Sequence, residues 1–361
     1  MCGLEVTLRQ PRPALHRRQR GLSIIELMVG IVISLMVALV SVGSANVFSA
    51  MQRQGISSGG AAVNSASALA ALKNDAALAG LGFFGDAQFL CNQLNLSVGA
   101  SKLSDGANFS PVRITREVAG DRIDVLFGTQ VAAGSNVLLN ASSAGTAAEL
   151  RSLLPVSASQ AVLLAPPTPG SPCLVRTVTA VTPSTGTDKQ QLSFGSTGIH
   201  NAATFTTAVS YADKSRVTLL GQLQWSRYRM DCTDLLLERP LASASAVLAR
   251  NVMAFRAEYG LAAAAVGSTT LASWQPATGT AFTTLAAASL PRVRAIRVGL
   301  VTRSPQREKA NAGGVCEASS DMPVLFGETI TPDVSDWQCY RYRTTVVVVP
   351  LRNLVMGFTT P

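Results

Sequence analysis

Residues 22–48, LSIIELMVGIVISLMVALVSVGSANVF, form one apolar run that contains a single ionisable side chain, Glu26. At about 1.5 Å per residue this run can cross a hydrocarbon core of about 30 Å as a helix. No second stretch of about 18 apolar residues exists, which excludes a multi-span membrane protein. His16, Arg17, Arg18 and Arg20 precede the run and Arg53 follows it. The heavier cationic flank therefore predicts that residues 1–21 stay in the cytoplasm and that the remainder lies outside. A secretory signal would place its small-residue cleavage site after the apolar core, whereas the only suitable small residue here, Gly21, stands before it.

The net charge of +9 needs dissecting before it is read as a nucleic-acid signal. Residues 1–21 hold five arginines (Arg9, Arg12, Arg17, Arg18 and Arg20) against Glu5, and so carry +4 of it. The rest of the chain, with 25 basic and 20 acidic residues, carries only +5 and has no basic run. Charged residues make up 14% of the chain, far below the roughly 25% of ordinary soluble domains, which argues against charge-driven disorder. Outside the apolar segment, roughly 300 residues remain, enough for a sizeable core.

Arg17-Arg18-Gln19-Arg20-Gly21 followed by Leu22-Ser23-Ile24-Ile25-Glu26-Leu27 resembles the type IV prepilin signal. The resemblance implies cleavage between Gly21 and Leu22 by a membrane aspartyl prepilin peptidase, with N-methylation of Leu22. Family members more often carry Phe at that position. It also implies that Glu26, the fifth mature residue, pairs with the N-terminal amine of a neighbouring subunit. The physics agrees: a carboxylate in lipid costs about 2.5–3.5 kcal/mol alone, and contact with an opposite charge offsets that cost.

After Phe48 the helical pattern is expected to reach about Gln54 and then break at Gly55, Ser57, Ser58, Gly59 and Gly60. Leu69, Leu72, Ala76 and Ala79 recur at helical spacing and predict a second helix over 61–79, ended by Gly80 and Gly82. From about residue 110, β-like runs alternate with Ser, Thr, Gly and Pro. Strands are expected at 122–127, 161–164, 173–181, 217–220, 223–230, 235–238, 293–301 and 340–349. Residues 247–258 suit either a strand or a helix, and 131–160, 261–290 and 305–337 read as small-residue loops. The expected fold is α+β: a long N-terminal transmembrane and filament helix followed by a β-rich globular head. Its expected divisions are a removable leader over 1–21, a filament helix over 22–54, a kinked linker and second helix over 55–85, and a head over 86–361.

LKNDAALAGLGFF, VLARNVMAFRAEYG, RAIRVGLVTRS and RYRTTVVVVPLRN resemble, in that order, segments of the minor pilin family PilW. The resemblance implies a minor pilin that primes type IV pilus assembly near the filament tip. The implied partners are other minor pilins, the major pilin, the prepilin peptidase, the inner-membrane assembly platform and, before assembly, the lipid bilayer. The implied location is the bacterial inner membrane, single-pass with a periplasmic head, and later the cell-surface pilus. A pseudopilin of a type II secretion system shares the same signal and a similar body. A tip adhesin or DNA-binding module is the alternative from another class.

With Cys2 in the leader, five cysteines remain, in a compartment that permits disulfides. Cys316 and Cys339, closest in sequence, form the first candidate pair, and Cys173 with Cys232 the second, leaving Cys91 free or paired differently. No CxxC occurs, and His200 is the only histidine outside the leader, which disfavours a zinc site or a histidine-dependent triad. His200 is expected on an exposed loop. GLGFFG at 80–85 matches a dinucleotide fingerprint in letters alone, since a helix precedes it where a strand is needed. No cofactor and no enzymatic activity are expected. The arginines of 292–303 and 341–352 suit a solvated strand face or a subunit contact better than a nucleic-acid stripe, because aromatic interleaving is sparse.

Overall fold

The computed structural model describes residues 23–83, 91–130, 137–167, 171–186, 189–207, 209–265, 268, 270–283, 289–311 and 313–359. The chain divides into two compact units, one ending at Ile56 and one running Ser57–Pro361. Described residues of the first unit are helical from Ile24. Among its described residues, the second combines the end of that helix with four β-sheets and a short hairpin.

The helix is a single element, Ile24–Leu78, which corrects the expected break and separate second helix within 55–85. A glycine costs a helix interior only about 1 kcal/mol, while proline, the residue that removes a donor and clashes, is absent here. Added Cβ atoms on Gly59 and Gly60 would meet nothing within 4 Å, so neither glycine serves close packing. Within the second unit, Ser65, Ala68, Leu69, Leu72 and Ala76 are buried at helical spacing. Tyr228 anchors this stripe by donating its hydroxyl to Asp75 Oδ2 at 2.7 Å. The helix stops at Leu78, and Gly80 (φ 79°) and Gly82 (φ 86°) turn the chain away in a backbone region open to glycine. Asn353 Nδ2 covers the orphan carbonyls of Leu78 and Ala79 at 3.3 and 3.0 Å.

The first sheet has the order Ser101–Asn108, Gln93–Val98, Cys173–Thr177, Ala161–Ala165, Arg216–Gly221, Val137–Leu138. Only the Gln93–Val98 and Cys173–Thr177 pair is parallel. Ala161–Ala165 is buried at every position because one face of it contributes to the main core and the other to a second core. That second core is completed by a small antiparallel sheet of Ala147–Leu150, Gln190–Ser193 and Ala180–Thr182. The third sheet, Ala244–Ala249, Asp234–Arg239, Leu223–Asp231, Arg122–Gly128 and Val112–Thr115, is antiparallel throughout. So is the fourth, Leu271–Pro276, Val252–Ala262, Val293–Arg303 and Tyr342–Pro350. The 247–258 ambiguity resolves into two strands, Ala244–Ala249 and Val252–Ala262, turned at Asn251 with φ 56°. The expected loops at 131–160, 261–290 and 305–337 also contain strands, among them Ala147–Leu150, Leu271–Pro276 and the Val324–Leu325/Glu328–Thr329 hairpin.

Asp121, fully buried in the turn between Val112–Thr115 and Arg122–Gly128, links the third sheet to the fourth. Its Oδ2 accepts the Ala257 N–H at 2.7 Å, and Arg116 and Arg256 each approach Oδ1 to 3.5 Å. Burial pushes this carboxyl up to about 6, outweighing the lowering pull of the Ala257 amide and the two guanidinium groups. Since the unfolded value is about 3.9, the native state holds the proton more tightly between these limits. The stability this brings, at most about 3 kcal/mol, is fully present below about pH 4 and is lost as pH rises through about 6. Asp121→Asn is expected to flatten this part of the stability profile, as read by urea unfolding at several pH values. An unchanged slope would show that the carboxyl titrates normally.

Candidate processing and assembly segment

Glu26 lies in the first turn of the helix, where a carboxylate complements the N-terminal dipole. It is exposed, and it is the only ionisable side chain within Ile24–Ala45. That 22-residue span has a mean hydropathy of 2.6, and none of it is buried against the rest of the protein. Ile24 is 79% exposed, Leu39 72% and Val40 71%. Polar side chains within the span are accounted for locally. Ser34, Ser41 and Ser44 donate their hydroxyls to the carbonyls of Ile31, Val37 and Val40 at 2.9, 2.7 and 2.7 Å. Such back-bonding lets serine sit in an apolar medium without an unpaired donor, which leaves Glu26 as the one group needing an outside partner there. Gly21 and Leu22 lie outside the described residues.

Two disulfides brace the head. Cys316–Cys339 joins residues 23 apart and ties the irregular C-terminal excursion to the approach of strand Tyr342–Pro350. Cys173 bonds Cys91, 82 residues away, which corrects the expected Cys173–Cys232 pair. The physical reason is the parallel pairing of Gln93–Val98 with Cys173–Thr177, which sets Leu94 opposite Cys173 and so brings Cys91 into reach, with a Cα separation of 5.4 Å. Cys232 instead occupies the hairpin turn between Leu223–Asp231 and Asp234–Arg239, exposed and as a free thiol.

His200 is buried, not exposed as expected. Its Nδ1 meets the Ser97 carbonyl at 2.6 Å, so the proton resides on Nδ1, and burial lowers its pKa. Neighbouring Arg176 donates to the carbonyls of His200 and Gly145 at 2.8 and 3.1 Å, fastening this loop to strand Cys173–Thr177. No sequence spacing signals such a lock. The arginines singled out at 292–303 are also engaged within the head. Arg294, 3% exposed, donates to the carbonyls of Ser268, Pro291, Val293 and Ala265. Arg292 donates to the Ala262 carbonyl. Arg297 pairs with Glu258 and packs over the rings of Trp274 and Phe326. Among the described residues no group of three or more His, Cys, Asp or Glu side chains is placed to hold a metal ion.

The chain thus combines a helix long and apolar enough to cross a membrane, with one ionisable residue in its first turn, and a disulfide-braced β-rich unit. Residues 16–42 match the prokaryotic N-terminal methylation motif, and residues 222–353 match the Type IV Pilus-assembly protein W family, PilW. The chain thus carries a prepilin-type N-terminal motif and, in its C-terminal part, a segment similar to the PilW family. It is also similar to a type IV-like pilin from Thermus thermophilus at 11% identity and a TM-score of 0.32, over 81% of this chain and 97% of that one. No curated protein matches the chain.

Proposed function

We propose that the chain is a minor pilin that primes type IV pilus assembly together with other minor pilins near the filament tip. The observation that supports this most directly is the lone Glu26 on an exposed apolar helix five positions after Gly21. In this reading residues 1–21 are a cytoplasmic leader, and the peptidase cuts after Gly21 and methylates Leu22. The helix then waits in the inner membrane with the head in the periplasm. Leaving the bilayer is offset by lateral packing of apolar helices and by contact between Glu26 and a neighbour's amine. The chain is a structural component and a substrate of the peptidase; the assembly platform and the major pilin are its further partners.

Mass spectrometry of the mature N-terminus tests the processing step: a start at methylated Leu22 is expected, and a start at neither methylated nor unmodified Leu22 would refute it. The priming role has its own signature. Loss of an initiator lowers the number of filaments per cell without shortening those that form. Unchanged filament number, or loss of protein secretion in place of pili, would refute it.

A further inference from the structure

Between the hairpin of Gln93–Val98 with Ser101–Asn108 and the outer face of the third sheet lies a cavity of about 220 Å³. Its apolar lining includes Leu94, Leu103, Leu126 and the Trp225 ring. Its polar lining is unusual for a strand face, with Arg113, Arg122 and Arg227 against one carboxylate, Asp124. Antiparallel register explains the cluster: Arg113 and Arg227 are the direct cross-strand neighbours of Asp124 on either side.

Asp124 cannot serve all three guanidinium groups. Its Oδ1 accepts Trp225 Nε1 at 2.9 Å and Arg227 Nε at 2.7 Å, while Oδ2 accepts Arg122 Nε at 3.2 Å. Arg122 also reaches Glu117 at 2.7 Å, and Arg227 stacks over Trp225 at 5.3 Å. Arg113 is left over. Among the described residues its Nε is buried without a hydrogen-bond partner, and no ion pair forms to its guanidinium. Burying such a donor unpaired carries a cost.

We propose that this cavity binds a carboxylate carried on a short apolar body, held by Arg113 and packed against Trp225 and its aliphatic neighbours. One planar fork without a described acid matches the two oxygens of one carboxylate, and its charge, the one in the lining that no described carboxylate pairs, favours an anion. The carboxylate could be that of a free organic acid or of an acidic side chain on an adjoining subunit. Both share this chemistry, and the volume accommodates either.

The test uses the full chain in detergent micelles, with ligand-observed NMR titrations of benzoate, of N-acetyl-Phe-Glu-amide and of inorganic phosphate. Saturable binding of benzoate or the dipeptide is expected, weakened roughly 10- to 100-fold by Arg113→Met, the range for losing a charge-assisted hydrogen bond. Because no described residue hydrogen-bonds or ion-pairs with this guanidinium, the same variant should retain or exceed the parent's melting temperature. Ala107→Trp, which crowds the cavity from an exposed position while leaving Arg113 in place, should abolish binding as well. Preference for benzoate identifies a free acid as the ligand, and preference for the dipeptide identifies a subunit side chain. Absence of saturable binding, tighter binding of phosphate, or affinity indifferent to both substitutions would overturn the proposal.

Discussion

Glu26→Ala is expected to leave cleavage intact and to reduce the chain's incorporation into pili by roughly a hundredfold. Two effects act in the same direction. Removing the carboxylate relieves the membrane-resident form of a cost of about 2.5–3.5 kcal/mol, and it deprives the assembled form of the only charge along Ile24–Ala45 that could meet a neighbour's amine. The first effect alone shifts the equilibrium toward the bilayer by roughly a hundredfold, and the second adds to it. Glu26→Gln should behave like alanine, since it keeps the shape and loses the charge, while Glu26→Asp should restore part of the incorporation. The measurement is the ratio of the protein in sheared filaments to that in membranes, with the mature mass confirming cleavage. Normal incorporation of the alanine variant would refute the pairing role, because the hydroxyls of Ser34, Ser41 and Ser44 already satisfy themselves within the helix.

The second large effect is expected from Cys91→Ser combined with Cys173→Ser. Closing a loop of 82 residues lowers the entropy of the unfolded chain by an amount worth about 4.5 kcal/mol, against about 3.4 kcal/mol for the 23-residue loop of Cys316–Cys339. Both Cys91 and Cys173 are buried in the main core, so two serine hydroxyls there add an unfavourable polar burial. A fall in melting temperature on the order of 10 °C or more is expected for the double variant, which differential scanning calorimetry would read. Removing Cys316–Cys339 should loosen the C-terminal excursion while affecting the global transition less. Before reduction, the processed chain should take up one maleimide, at Cys232, and after reduction and unfolding four more. Rapid uptake of more than one without reduction would show that the pairing differs.

Glu26 and the Cys91–Cys173 bond lie on opposite sides of the line between local and long-range determinants. Glu26 stands out in the sequence because bilayer thickness is a length that a single run of residues either meets or misses. Strand Val293–Arg303 is similarly visible, since β-branched residues and arginines share one extended segment. The partner of Cys173 is not visible in this way. Sequence separation favours no choice between Cys91 and Cys232, and only the parallel strand pairing brings Cys91 near. The short strands inside the expected loops are hidden for a related reason: Ala147–Leu150 and Leu271–Pro276 are strands because neighbours complete their ladders, not because their own residues demand it.

The arginines divide the same way. Their positions are plain in the sequence, but Arg294 serves four backbone carbonyls, Arg297 an acid and two rings, and Arg113 no acid among the described residues, its Nε lacking a hydrogen-bond partner there. Even the helix illustrates it, since the glycines at 55, 59 and 60 lower local propensity by amounts too small to end it. By itself the sequence determined the membrane-length helix, its single charge and the β-rich character of the head, because each depends on the periodicity and polarity of neighbouring residues. Tertiary structure alone decided which cysteines bond, that His200 is buried, and that the Arg113 guanidinium meets no described acid, because a side chain's partner is chosen by chain segments far away in sequence.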